Sequence, residues 1–117
     1  MNLADGSITV QTEGMEGTSV WFSSRDKEKV ANGLDRMARQ IKKQIGGEKP
    51  KLVFQFDCAT RGKMMFREQE KLQLLKRFRQ SVGPGVPWAG FYTIGEIGPV
   101  EEHNGMHRFA SVVLTLR

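Results

Sequence analysis

The residues best suited to chemistry lie in three short segments, and the first of these is FDCATRG at residues 56–62. Asp57, Cys58 and Arg61 stand at the end of an apolar run that is typical of a buried strand. Ligands of sheets with helical crossovers bind at the carboxyl ends of strands, which is where these side chains are predicted to lie. The planar guanidinium of Arg61 matches a carboxylate, but Asp57 could equally cap the following loop and pair with Arg61.

The second segment is YTIGEIG at residues 92–98, in which Glu96 ends another predicted strand between Gly95 and Gly98. Glycine lacks a Cβ, so a ligand or a second backbone can approach closely there. The alternative is a tight turn that carries an exposed glutamate. If this strand neighbours the first one, Asp57, Arg61 and Glu96 converge at one edge of the sheet.

The third segment is EEHNGMHRF at residues 101–109, where His103 and His107 stand four residues apart. That spacing would suit a zinc pair on a helix, but Asn104-Gly105 favours a turn. The chain has one cysteine and two histidines, so no second pair of thiolate or imidazole ligands exists. We therefore expect no metal site.

Catalysis finds little local support. As a nucleophile, Cys58 would need His103 or His107 within hydrogen-bond reach, whereas a single cysteine in a strand is more often a small buried apolar residue. The chain has no phosphate-binding glycine loop, dinucleotide fingerprint or nucleophile elbow. We expect no enzyme activity, no catalytic residue and no cofactor.

Five strands and two helices are predicted to position these segments. Alternating or apolar runs predict strands at 7–12, 18–23, 51–58, 88–96 and 108–116, and residues 97–107 are predicted to be a polar loop. Ser24 or Asp26 can cap the first helix, and Gly46 and Gly47 can end it. Its apolar stripe comprises Val30, Leu34, Met37, Ala38, Ile41 and Ile45. The second helix is predicted at about 67–82, with a buried face of Leu72, Leu75, Phe78 and Val82.

The predicted fold is α+β, a single domain over residues 1–117 with the order β-β-α-β-α-β-β. We expect a mixed sheet with both helices packed on one face. The opposite face then needs a cover, which could be another domain, a partner subunit or solvent. Association of that face with another surface is suggested by the apolar side chains of Trp21, Phe54, Trp88, Phe91 and Val113, although several of these must belong to the core instead.

Composition narrows the class of partner. The net charge is +5, but the basic residues fall on the two predicted helices among acidic ones, which indicates a solvated face; we expect no nucleic acid. No apolar run approaches the ~18 residues of a membrane span, and the N-terminus lacks the pattern of a secretory signal. With its single cysteine the chain suits a reducing compartment, so we expect a cytoplasmic location.

The segments DGSITV, EGTSVWF, FDCATRG and GFYTIGEIGP and the final His-Asn, in this order, resemble the FIST C-terminal domain. FIST stands for F-box and intracellular signal transduction, and the resemblance covers nearly the whole chain. It implies a sensory region of bacterial signalling proteins, also joined to F-box domains in eukaryotes, that binds small ligands such as amino acids. It also implies an N-terminal FIST half or an output domain as partner.

Carried over residue by residue, the family's strand-end pattern falls on Phe56, Asp57, Cys58, Arg61 and Gly62. Its second pattern falls on Gly90, Phe91, Tyr92, Gly95, Glu96 and Ile97, and its final His-Asn falls on His103 and Asn104. Gly105, Met106 and His107 depart from the family pattern after this pair.

We therefore predict a small-ligand-binding sensory module, with an amino acid or similar small molecule as the candidate ligand. The expected ligand-binding residues are Asp57, Cys58, Arg61, Tyr92, Gly95, Glu96, His103 and Asn104. Arg61 is expected to bind the ligand carboxylate and Glu96 or Asp57 its ammonium group, with Tyr92 or Trp88 as a pocket wall. The alternative is a non-catalytic oligomerisation or protein-interaction scaffold, and a homo-oligomer is possible in either case.

Overall fold

The computed structural model describes residues 2–9 and 14–117, which contain two helices and five strands. In chain order these are α1 (Lys27–Gln44), β1 (Leu52–Cys58), α2 (Glu68–Val82), β2 (Trp88–Thr93), β3 (Glu96–Val100), β4 (His103–His107) and β5 (Ser111–Leu116). β1 is the centre of a three-stranded sheet with the order β2-β1-β5. It pairs parallel with β2 and antiparallel with β5, while β3 and β4 form an antiparallel hairpin. The predicted α+β class with a mixed sheet is confirmed.

Helix α1 begins and ends where its sequence predicts. The Asp26 carboxylate accepts a hydrogen bond from the Lys29 amide at 3.0 Å and so caps the first turn. At the other end Gly46 and Gly47 take positive φ angles of 67° and 82°, which end the helix without a Cβ clash. The predicted stripe is buried, except that Met37 is half-buried.

Helix α2 matches the predicted range, but one residue of its predicted buried face is wrong. Phe78 and Val82 are buried, whereas Leu72 is 58% exposed. Leu72 lies six residues from Phe78, which places it about 120° away around the helix. Leu74, four residues from Phe78, packs against the core in its place.

The core lies between the two helices and one face of the three-stranded sheet. Val53 of β1 is fully buried there against both helices, and the Trp88 ring meets Phe78 edge-on at 5.4 Å between centroids. The buried cluster comprises Leu34, Ala38, Ile41, Ile45, Val53, Phe78, Val82 and Val86. Because successive strand side chains alternate, Phe54 and Phe56 of β1 lie on the opposite face, beside the exposed Phe91 of β2 and Leu114 of β5.

The strand predictions need five corrections. Residues 97–107 are not a polar loop, because most of them pair in the β3–β4 hairpin. The strand predicted at 88–96 ends at Thr93, and the last strand begins at Ser111 instead of residue 108. Residues 18–23 form no strand, and neither do residues 7–9; the rest of the predicted strand 7–12 lies outside the described residues.

No helix among residues 2–9 and 14–117 has both the length and the apolar character that a membrane span requires.

Candidate functional site

The carboxyl ends of β1 and β2 bring the predicted polar residues to one end of the sheet. The two strands run parallel, with Asp57 beside Tyr92 and Cys58 beside Thr93. A short turn after Thr93 leads to Glu96 at the start of β3. Asp57, Arg61 and Glu96 are only 8%, 8% and 3% exposed, so three charged side chains lie inside the protein. Burying charges is costly unless they are paired, so their partners define the site.

Asp57 and Arg61 form a buried ion pair. The Arg61 guanidinium donates to Asp57 Oδ1 at 2.7 Å, and the two side chains are 12% and 10% exposed for Asp57 and Arg61 respectively. The backbone makes the pair possible, because the Arg61 and Gly62 amides both donate to the Cys58 carbonyl and turn the chain back. The sequence allows Asp57 either to bind a ligand or to cap the following loop and pair with Arg61, and the structure contains the pair with Arg61.

Gly62 is required by the close packing around this pair. A Cβ at position 62 would lie 2.1 Å from Asp57 Oδ2 and 2.7 Å from Tyr92 Cε1. Real Cβ atoms do not approach other atoms so closely, so a larger residue would displace the carboxylate or the ring. The absence of a side chain at Gly62 thus leaves room for both the Asp57 carboxylate and the Tyr92 ring.

Burial raises the pKa of the Asp57 carboxyl above its ordinary value. The positive charge of Arg61 and hydrogen bonds with Ser111 and Arg61 act in the opposite direction, and the negative charge of Glu96 adds to the upward shift. Tyr92 is affected in the same way, since burial also raises the pKa of its phenol. The Asp57 carboxyl therefore takes up a proton at a higher pH than an exposed aspartate does.

Glu96 has a different environment from Arg61, although both lie at the same end of the sheet. The Thr93 hydroxyl donates to Glu96 Oε1, while Glu96 Oε2 is buried without a hydrogen-bond partner among the described residues. Within the same described ranges, Arg61 pairs with Asp57 and has no ion pair with Glu96. Arg61 is therefore already engaged at the position where the sequence leads us to expect a ligand carboxylate.

Cys58 points to the opposite side of β1 from its neighbour Asp57, since adjacent strand residues alternate. Its sulfur lies 3.1 Å from the Thr60 hydroxyl and 3.9 Å from the Ile94 carbonyl oxygen. Burial acts to raise the pKa of the Cys58 thiol, but hydrogen bonds with Thr60 and with the Phe109 backbone leave it lowered overall. The thiol thus has a hydroxyl and a carbonyl as neighbours, and its side chain is 1% exposed.

A groove of about 300 Å³ opens beside β2 on the side of α2. It is lined by Gln55, Asp57, Leu75, Arg79, Trp88, Ala89, Gly90, Phe91 and Tyr92. Asp57 and Tyr92 were predicted as site residues, whereas Arg79 was assigned to a solvated helix face. Its guanidinium lies 5.8 Å from the centroid of the Trp88 ring. Arg79 follows Leu75 by four residues on α2, so the two side chains lie on the same face of the helix. This spacing was the sequence signal that places Arg79 beside the groove.

Six of the eight predicted site residues do not line this groove, namely Cys58, Arg61 and Glu96, described above, and Gly95, His103 and Asn104. His103 pairs with Val100 near the tip of the β3–β4 hairpin, whereas Glu96 pairs with His107 at its base. Four strand residues span about 13 Å, so His103 and its neighbour Asn104, both exposed, are not brought to the carboxyl ends of β1 and β2. Gly95 lies exposed in the turn between β2 and β3. Among the described residues, no group of three or more His, Cys, Asp and Glu side chains could hold a metal ion.

Comparison with known proteins gives one family and several relatives. The family model described as "FIST C domain" matches residues 1–99. Uncharacterized protein Rv0628c of Mycobacterium tuberculosis H37Rv is 32% identical over 106 residues, which cover 91% of this chain and 27% of that protein. Uncharacterized protein Mb0898c of Mycobacterium bovis is 29% identical over 106 residues, which cover 91% of this chain and 26% of that protein. The chain thus spans about a quarter of the length of these curated relatives. No solved structure matches the chain.

Proposed function

This chain belongs to the FIST C domain family, whose domain is associated with signal transduction, and from that premise we propose that it binds a small zwitterion such as an amino acid. The observation that supports this proposal is the groove beside β2, which is lined by both an acidic and a basic side chain, Asp57 and Arg79. Its volume of about 300 Å³ suits a small molecule, since ligand sites commonly range from about 300 to 1,000 Å³.

In this proposal Asp57 binds the ligand ammonium group and Arg79 binds the carboxylate. Arg61 occupies Asp57 Oδ1, but a carboxylate has further lone pairs that can accept another donor. Arg79 makes no ion pair with any residue in the described part of the chain, so its planar guanidinium can take a carboxylate with two hydrogen bonds. The rings of Trp88 and Tyr92 supply the apolar wall. Arg61 then acts on the ligand through Asp57, which it positions.

Glu96 remains a candidate for ligand contact on the other side of the strand end. Buried polar atoms almost always have a hydrogen-bond partner, and Glu96 Oε2 has none among residues 2–9 and 14–117. A donor from a ligand or from an ordered water molecule would satisfy this oxygen. We assign Glu96 a secondary role because it does not line the groove.

Signalling would follow if the ligand binds one conformation more tightly than another. A ligand shifts an equilibrium only by its difference in affinity for the two states. The curated relatives are about four times as long as the matched region, which supports a further FIST half or an output domain as the receiver of the signal.

Isothermal titration calorimetry of the 117-residue chain against a panel of amino acids tests the ligand class. A hydrogen bond to a charged group contributes about 1.5–3 kcal/mol, so Arg79→Ala and Asp57→Asn should each weaken binding by roughly 10- to 100-fold. Arg39→Ala, which removes an exposed arginine from α1, is the matched control and should leave the affinity unchanged. Absence of binding across the panel, or affinity that survives both substitutions, would reject the proposal.

The pH dependence of the same titration tests the role of Asp57. Its pKa is raised, and a protonated carboxyl loses the charge that attracts an ammonium group. Affinity should therefore fall as the pH drops through this raised pKa, at a higher pH than an ordinary aspartate would cause. In Asp57→Asn this pH step should be absent, and a step of unchanged size would show that another group is responsible.

We further propose that binding occurs without catalysis. Among the described residues the Cys58 sulfur makes hydrogen-bond contacts with the Thr60 hydroxyl and the Ile94 carbonyl, so no imidazole is in position to activate the thiol. Cys58 also points to the side of β1 opposite the groove, so Cys58→Ala should leave ligand affinity unchanged in the calorimetric assay.

A second candidate function, an assembly scaffold, is favoured by the apolar sheet face that no helix covers in the described part of the chain. Phe91 is 66% exposed on that face and Leu114 is 52% exposed. Sedimentation velocity and calorimetry together separate the two functions, because a scaffold assembles and binds no amino acid, whereas a sensor binds an amino acid whether or not it also assembles.

A further inference from the structure

The outer edge of β2 is open in the described part of the chain. β2 pairs with β1 on one side, and the sheet order β2-β1-β5 leaves its other side without a strand partner among the described residues. Its sequence, WAGFYT, has no charge and no proline within the strand. Edge strands commonly carry a charged residue or a proline, because these prevent pairing with another chain. This edge lacks them and is therefore suited to accept an added strand.

Residues 18–22 have the properties of such a strand. Their sequence, TSVWF, is uncharged and rich in residues that favour strands. Val20, Trp21 and Phe22 are 62%, 85% and 88% exposed, and no strand partner is present for them within residues 2–9 and 14–117. The chain thus carries both an open edge and an unpaired strand-like segment, each with exposed aromatic surface.

The segment does not pair with β2 in its own chain. Arg25, three residues after Phe22, stacks over the ring of Phe109, the residue that shortly precedes β5, at 4.6 Å. β5 and β2 lie at opposite edges of the sheet, two strand spacings or about 10 Å apart. The end of the segment thus lies toward the edge away from β2, which favours pairing between two chains.

We propose that residues 18–22 of a second copy of this chain add to the outer edge of β2, and that two copies exchange these strands reciprocally. Alternation along the added strand would place Val20 and Phe22 beside Phe91 on the apolar face. Trp21 would then lie on the other face, at the open side of the groove beside Trp88 and Tyr92.

The surface available for this exchange approaches that of small stable dimers. Trp21, Phe22 and Phe91 are 85%, 88% and 66% exposed. At about 200 Å² for each aromatic side chain they expose roughly 500 Å² per copy, or on the order of 1,000 Å² in the pair. Val20 and the paired backbones increase this area toward the ~1,200 Å² of the smaller stable interfaces.

Sedimentation velocity of the 117-residue chain over a concentration series, without ligand, tests the exchange. We expect a concentration-dependent dimer that Trp21→Ser and Phe91→Lys each weaken at least tenfold. Ile97→Ser removes an apolar side chain of similar exposure, 69%, from the hairpin and should leave the dimer unchanged. A chain that stays monomeric at all concentrations, or a dimer that survives both substitutions, would overturn the proposal.

Mixing the two variants gives a second test, which looks for a gain of association instead of a loss. Trp21→Ser retains an intact β2 edge, and Phe91→Lys retains an intact segment 18–22, so one of the two strand exchanges can still form. The mixture should contain a 1:1 heterodimer at concentrations where each variant alone is monomeric, with far-UV circular dichroism confirming that both are folded. No association in the mixture would count against strand exchange. Because ligand is absent throughout, these outcomes are independent of the calorimetric test.

Discussion

Asp57 and Arg61 combine a structural role with a proposed functional one. Their ion pair is buried, unlike the pair of Lys27 and Glu70, whose side chains are 47% and 41% exposed. A buried charge that loses its partner is far more costly than an exposed one, because water cannot replace the lost interaction. The same pair fixes the carboxylate that we assign to the ligand ammonium group.

Substitution of Arg61 should therefore destabilise the protein much more than substitution of Lys27. Removing one partner of a buried pair costs about 3–5 kcal/mol, so Arg61→Met should lower the free energy of unfolding by that amount in urea denaturation. Lys27→Ala breaks an exposed pair and should cost no more than about 1 kcal/mol. The double variant Asp57→Asn/Arg61→Met should recover part of the loss, since it leaves no unpaired buried charge. Equal effects of Arg61→Met and Lys27→Ala would contradict this account.

The sequence predicted the common location of Asp57, Arg61 and Glu96 and gave the Asp57–Arg61 pair as one of two alternatives, but it did not decide between them. Strand-end residues of neighbouring parallel strands meet at one end of a sheet, so their location follows from the element order. Which charge pairs with which depends on side-chain direction, and that is set by the turn at Gly62 and by alternation along β1. Arg79 was missed because its exposed helix position resembles that of the other basic residues until α2 is placed beside β2.

At the scale of elements, the sequence predicted the helices and strands whose own residue pattern is sufficient to form them. α1, α2 and β1 have an apolar stripe or a continuous apolar run, and all three match. The β3–β4 hairpin was missed because its strands contain glycine, proline and charged residues, which have low intrinsic preference for strands. Each of these strands depends on pairing with the other. Residues 18–23 show the reverse case, because their β-branched and aromatic residues suit a strand but the segment has no strand partner within the described part of the chain.

Two glycine substitutions in different elements should change stability in opposite directions. Gly33 lies inside α1, and a Cβ there would meet only Arg36 at 3.8 Å, so Gly33→Ala should raise the free energy of unfolding by about 0.5–1 kcal/mol. Gly62→Ala places a Cβ against Asp57 and Tyr92 and should lower it by about 1–3 kcal/mol. Urea denaturation of both variants measures the difference. A neutral Gly62→Ala would mean that the loop after β1 can move away from Asp57 at little cost.

At the scale of the whole molecule, the open β2 edge and the groove share residues. Trp88 and Tyr92 belong to β2 and line the groove, so a strand added to that edge would reduce the groove's exposure to solvent. Closing a polar site strengthens the electrostatic interactions inside it, because water is excluded. The two proposals are therefore connected through one strand, although each can be tested alone.

This connection predicts that ligand binding and self-association stabilise each other. If Trp21 of one copy covers the groove of the other, the dimer should bind ligand more tightly than the monomer, by roughly 5- to 150-fold for a typical coupling energy. By reciprocity, and because each dimer contains two covered grooves, a saturating ligand should lower the dimer dissociation constant by the square of that factor. Sedimentation velocity with and without a saturating concentration of the tightest-binding amino acid from the calorimetric panel measures this factor.

Trp21→Ser should retain ligand binding at the monomer's affinity and lose the dependence of that affinity on protein concentration. A dimer whose dissociation constant is unchanged by the amino acid would show that strand exchange leaves the groove open, and that any signal leaves this domain by another surface.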